Sequence, residues 1–243
     1  MKKLISIFFL LSVFTNMPAQ ERTSALLPKV LKQLKIDKSK IHEALYSEKV
    51  LPYEKTSSVV VIPKYRVKET DEYGNLFLQL DAYIIIADNA TGKILYKSVE
   101  ENAWTSDADM INDIQIDTGL YRLDQNTRAF GIRVGYEGSS RPNPSNSSDL
   151  SLYITQNNRL KKVLNNYKID QLYGEWDTRC AGEFHNVRGS VSIGGDQSNG
   201  LSNLIIKQQI EDTINEPKGD DCNEKKTVSR AEKVLRYNGT EYR

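Results

Sequence analysis

A mainly β fold is what this chain of 243 residues predicts, and three observations carry the prediction. Short runs rich in β-branched and aromatic residues recur from Ser57 onward, and turn-forming pairs such as Asn199-Gly200 separate them. No stretch between the runs reads as a helix long enough to return the chain to a parallel neighbour. Antiparallel meanders follow, arranged either as a β-propeller-like fold or as an irregular β-sandwich, with a short N-terminal helical segment ahead of them.

Residues 1–20 read as a signal peptide. Lys2 and Lys3 precede an apolar run from Leu4 to Phe14, and the small residue Ala19 offers a cleavage point. The run is too short to span a bilayer, so no stable membrane insertion is expected after cleavage. No cysteine lies near the exit to carry a lipid. Residues 21–243 are expected to form a single β-rich domain, secreted or periplasmic. Without Lys2 and Lys3, the 33 basic residues fall to 31 against 32 acidic ones. That balance argues against a nucleic-acid partner, which calls for a basic stripe.

The mature chain opens with Leu26, Leu27, Val30, Leu31 and Leu34 at helical spacing. Asp37 or Ser39 can cap a second helical piece over Lys40–Leu45, although the same residues through Val50 also suit an edge strand. Strands follow at Val59–Ile62, Leu76–Ile86 and Ile94–Val99, the last two joined by Asp88-Asn-Ala-Thr-Gly92 as a hairpin. Further runs lie at 113–116, 129–136, 150–154 and 160–164, with a turn at Gln156–Arg159. Gly138–Ser148 is a loop by composition. Strands at 189–193 and 204–210 flank Asn199-Gly200, Glu216–Lys226 reads as a charged loop, and Lys233–Tyr237 closes the sheet. A strand-strand-turn-strand rhythm of roughly 40 residues permits propeller blades, and long hairpins in a sandwich explain it equally.

Cys180 and Cys222 are the two cysteines. In an oxidising compartment they are expected to form a disulfide, which stabilises by roughly 3–4 kcal/mol in the chain-entropy model. No C-x-x-C spacing suggests a metal or redox pair. Asp107-Ala-Asp109 with Asn112 and Asp113 lacks the glycine of an EF-hand loop, so neither metal nor cofactor is expected.

Glu175, Asp177, Glu183 and His185 form the densest ionisable cluster, beside Trp176. Two carboxylates can divide acid and base roles when they stand about 5–9.5 Å apart, as glycoside hydrolysis requires. A charged strand edge is the commoner use of such residues. Trp104, Arg141 and Trp176 are candidate binding residues, since Trp gives rigid amphipathic contact area. Thirteen tyrosines, Tyr173 among them, could line a binding face or simply fill half-buried sheet positions. Arg128, Arg133 and Arg141 can hold a carboxylate or serve in structural ion pairs.

Several words of sequence occur together in a familiar order: Leu51-Pro-Tyr53, Val59-Val-Val-Ile-Pro63, Asp88-Asn-Ala-Thr-Gly-Lys93, Ser106-Asp-Ala108, Ile116-Asp-Thr118, Thr127-Arg-Ala-Phe-Gly-Ile-Arg133 and Gly138-Ser-Ser-Arg-Pro142. Gly174-Glu-Trp-Asp177, Cys180-Ala-Gly182 and Tyr237–Tyr242 continue it. Over nearly the whole mature chain the sequence resembles a family of uncharacterised secreted proteins of Gram-negative bacteria. The resemblance implies a location and no activity. The closing strand is also similar to that of FG-GAP-type β-propeller blades, without their Asp-rich calcium loop. The expectation for function is a non-enzymatic binding or structural module of the cell envelope, with an envelope or extracellular component as partner. The alternative is a hydrolase of envelope saccharide or peptide using the carboxylates near Glu175 and Glu183.

Overall fold

Helix α1 (Leu26–Leu34) begins the computed structural model, which describes residues 24–243; the signal-peptide expectation lies outside the described residues. Ser24 Oγ accepts from the Leu26 and Leu27 amides and so satisfies two orphan donors of the first turn. Lys35 in the left-handed region stops the helix, with Ile36 N–H returning to the Leu31 carbonyl. The second helical expectation resolves into single 3-10 turns at Lys38–Lys40 and Glu43–Leu45, and the chain then enters a strand. Asp37 caps the first of these turns.

Eleven antiparallel strands follow: β1 (Ser47–Leu51), β2 (Glu54–Thr70), β3 (Leu76–Asp88), β4 (Ile94–Ser106), β5 (Asp109–Asp117), β6 (Phe130–Gly138), β7 (Ser145–Gln156), β8 (Arg159–Trp176), β9 (Gly182–Ser198), β10 (Leu201–Lys218) and β11 (Asp221–Leu235). They form two sheets, ordered β1-β2-β3-β4 and β11-β10-β9-β8-β7-β6-β5. Two open sheets, rather than radial four-stranded blades, make the sandwich the observed alternative of the two. Two predicted loops are corrected. Glu216–Lys226 is the end and beginning of paired strands, with Glu216 opposite Asn223 and Lys218 opposite Asp221. The loop at 138–148 shrinks because Asn146–Ser148 already pair with both β6 and β8, and Ser145 with β8.

The sheets meet through alternate residues. Val59, Val61, Leu80 and Ile84 from the first pack on Ile114, Phe130, Ile132 and Tyr153 from the second. The opposite face of the first sheet buries Val60, Ile62 and Ile85 under α1. β2 and β3 are thus covered on both sides, and their near-continuous apolar runs reflect it. Asp81 lies buried among them, held by Arg66 Nε at 2.6 Å, the Asn102 amide at 3.0 Å and Lys64 at 3.4 Å. Two of the three register shifts on β3's flanks occur here, between Tyr65 and Val67 and between Leu80 and Ala82.

The seven-stranded sheet curls. β7 and β10 are three ladder steps apart, about 14 Å in a flat sheet, yet Leu150, Leu152 and Ile154 share one cluster with Leu204 and Ile206. Three register shifts in the β7–β8 pairing let the strands bend. Tyr237 and Tyr242 close this second core from the C-terminus. Beyond it the strands continue as an arm: β10 runs 18 residues, about 60 Å, and every residue of β11 before Leu235 is exposed. The Asn199-Gly200 turn that joins β9 to β10 has both residues at positive φ, as a type I′ hairpin demands.

Candidate functional site

The distal arm brings together residues far apart in sequence through strand register. Tyr173 of β8 stands opposite His185 of β9, which stands opposite Asp212 of β10. Two residues along, Glu175 faces Glu183, and Glu183 faces Ile214. Alternation places these side chains on one face of the sheet. The Tyr173 and His185 rings lie 5.0 Å apart, and His185 Nδ1 is 2.6 Å from Asp212 Oδ1.

Trp176 and Phe184 take the other face, their rings 6.3 Å apart. Glycines make room for them: a side chain at Gly174 would meet the Phe184 ring at 2.5 Å, and one at Gly182 would meet Trp176 Cβ at 2.4 Å. The indole Nε1–H donates to the Arg141 carbonyl at 2.6 Å. The amides of Gly174 and Trp176 donate to the carbonyls of Pro144 and Pro142. Proline suits this margin because it offers an acceptor and no amide to the solvent side.

An open groove of about 1200 Å³ runs along this part of the arm. Tyr173, Glu175, Trp176, Glu183, Phe184 and His185 all contribute to its lining. Neither Glu175 nor Glu183 accepts a hydrogen bond from another described residue, and both are exposed. Like charges directly opposite on neighbouring strands repel. Asp177 has a different task. Its carboxylate accepts from the amides of Arg179 and Cys180 at 2.8 Å each, and those bonds hold its pKa below the ordinary carboxylate range. It shapes the turn between β8 and β9, in which the β-branched Thr178 is held at φ 66°.

Cys180 in that turn is bonded to Cys222 at the start of β11, with Cα atoms 5.7 Å apart. β8, β9, β10 and β11 lie in that order, and Cys222 pairs with Pro217 at the end of β10. Strands two apart are separated by about 9.5 Å in a flat sheet, so the Cys180 turn leans across the end of β10 to reach its partner. The bond fixes the tip of the arm beside the groove.

The remaining sequence candidates fall elsewhere. Trp104, a candidate binding residue, lies in β4 and is 5% exposed within the core between the sheets, where its apolar area serves packing. Arg141 contributes its main-chain carbonyl, not its guanidinium, to Trp176. Arg133 pairs with Asp117 at 2.9 Å and with Asp170 at 3.7 Å, a structural use. Arg128 lies over the Tyr53 ring at 4.2 Å. Sequence reasoning missed Phe184, Asp212 and Ile214, because only the ladder carries Asp212 to a histidine 27 residues away. Among the described residues no group of three or more His, Cys, Asp or Glu is arranged to hold a metal ion, and no helix is long and apolar enough to cross a membrane. No protein family, curated protein or solved structure matches the chain.

Proposed function

We propose that the protein is an extracytoplasmic binding module of the cell envelope that engages its partner through the groove of the distal arm. One observation carries the reading: an arm without a core of its own is fixed by a disulfide and carries aromatic side chains on both faces, Tyr173 with His185 on one and Trp176 with Phe184 on the other, all bordering the groove. Aromatic residues on a rigid support give contact area at low entropic cost. Nothing in the packing of the sandwich calls for them, since the two cores close without the arm tip. The disulfide supports an oxidising compartment, as does the expected signal peptide.

Co-sedimentation of the purified protein with envelope fractions tests this reading. Tyr173→Ala and Phe184→Ala are expected to weaken retention while leaving the unfolding midpoint close to wild type. Unchanged retention in both variants would remove the groove from the account.

A hydrolase remains the second reading because Glu175 and Glu183 stand directly opposite each other on neighbouring strands, and a carboxylate pair is what divided acid and base roles require. It is weaker, since both carboxylates are exposed in an open groove and water is not excluded. Release of reducing ends or free amino groups from envelope material by the wild type, abolished in Glu175→Gln, would favour it.

A further inference from the structure

The groove is lined by carboxylates and by neither lysine nor arginine, with His185 as its one imidazole. Glu175, Glu183, Asp212 and Glu216 contribute to its walls, and neither Lys nor Arg does, in a chain whose basic and acidic residues number 33 and 32. Some acidic side chains elsewhere on the molecule meet cations, as Asp81 meets Arg66 and Glu211 meets Lys226. In the groove, Asp212 has only His185, and no ion pair reaches Glu175, Glu183 or Glu216 among the described residues. Lys225 shares the face but stands on β11, opposite Ile214 and outside the lining.

The carboxylates also have a period. Asp212 occupies one rung of the ladder with His185 and Tyr173; Glu175 and Glu183 share the rung two residues on; Glu216 follows two residues further, opposite Asn223. Along a strand, two residues span about 6.6 Å. An extended polypeptide lying along the strands presents side chains toward the sheet at that same interval. A volume of about 1200 Å³ exceeds what a single small cation needs and suits several residues of such a chain.

Resting on the binding reading above, we infer that the groove's occupant is an extended basic segment of another polypeptide, with Lys or Arg at alternate positions. Its cationic heads would meet the successive carboxylates, and its aliphatic stems would lie against Tyr173 and Ile214. The unrelieved repulsion between Glu175 and Glu183 in the free protein is what such a cation would relieve. A local conflict of this kind, left in an otherwise consistent sheet, is the pattern expected where a ligand completes the site.

Isothermal titration calorimetry with the disulfide-bonded full chain tests the inference. The probes are an acetylated, amidated (Lys-Ser)₄ peptide, its block isomer Lys₄Ser₄, and cellohexaose as a neutral oligosaccharide. The alternating peptide is expected to bind more tightly than the block isomer, to weaken as salt is raised, and to lose roughly tenfold in affinity in the Glu175→Gln/Glu183→Gln variant. That variant removes a repulsion, so misfolding does not confound it, and its thermal midpoint should equal or exceed that of wild type. Equal binding of the two peptides, or no loss in the variant, overturns the inference. If cellohexaose binds in a Tyr173-dependent way and the peptides do not, the basic occupant is refuted and the groove reading stands. If none of the three binds and envelope retention is unaffected by Tyr173→Ala, both readings fail together.

Discussion

The two halves of β10 share the same neighbouring strands and differ in everything around them. In the first half, Leu204 and Ile206 are fully buried beneath the curled sheet and touch residues of β7 and β8. From Lys207 to Lys218 only Thr213 is buried, and β11 alongside is exposed throughout until Leu235. The first half is held by apolar area removed from water. Backbone pairing, partly exposed ion pairs such as Glu211 with Lys226, and one covalent bond hold the second. Stability and display are therefore made in different places along one strand, so the aromatic groove can present its residues without weakening the core.

The largest test of that division is Phe130→Ala. Phe130 is 1% exposed and stacks on Tyr153 at 5.7 Å, so truncation should cost about 4 kcal/mol in urea unfolding. Ile214→Ala on the arm, where the side chain is 39% exposed, should stay within about 0.5 kcal/mol. Comparable losses at the two sites would erase the distinction.

Replacing Cys180 and Cys222 by Ser together removes a link across 42 residues, worth roughly 3–4 kcal/mol in the chain-entropy model. Its effect should be local. Amide exchange is expected to accelerate over residues 207–233 while the β2–β3 amides keep their protection. Uniform acceleration would show that the arm and the sandwich unfold as one unit.

Asp81→Asn should cost about 3 kcal/mol, since it strips Arg66 and Lys64 of a buried partner. Burial alone would raise the Asp81 pKa, but the Arg66 contact, the Asn102 amide and Lys64 outweigh it and hold the value below normal. A carboxylate depressed in the folded state contributes stability above its unfolded value of about 3.9, and that contribution is lost as pH falls through the lower folded value. Wild type should therefore lose part of its advantage over Asp81→Asn as acid is added below about pH 4. Parallel unfolding curves through that range would refute the role.

The smallest expected effect has the opposite sign. Glu175→Gln/Glu183→Gln should raise the resistance of the arm to local opening by less than about 1 kcal/mol, read as slower exchange of the β8–β9 amides. Faster exchange there would mean that the two carboxylates support the sheet.

The legible part of the fold was the part made by side-chain pattern. Val59–Ile62 and Leu76–Ile86 lie in strands because apolar residues fill both faces, and turns such as Asn199-Gly200 announce themselves through positive φ. Glu216–Lys226 gave no such signal. Its charged residues face water on both sides of the arm, and pairing rests on backbone groups that all residues carry. The same blindness hid the groove. Glu175 and Glu183 were visible as neighbours in sequence, whereas Asp212 and Ile214 join them only through β10's register. Trp104 misled for the reverse reason, since a large amphipathic side chain reads alike whether it fills a core or a surface.

The bond between Cys180 and Cys222 closes a covalent ring that contains all of β9 and β10. An exposed arm is where a protease would cut first. A single cleavage anywhere between those two cysteines would leave the flanking chains joined, so the nicked protein would run at full mass until reduced and then separate into two fragments. The Asn199-Gly200 turn and the exposed tip at Gly219 lie within the ring. Damage at either would thus be tethered, and the strands on each side would stay close enough to remain paired.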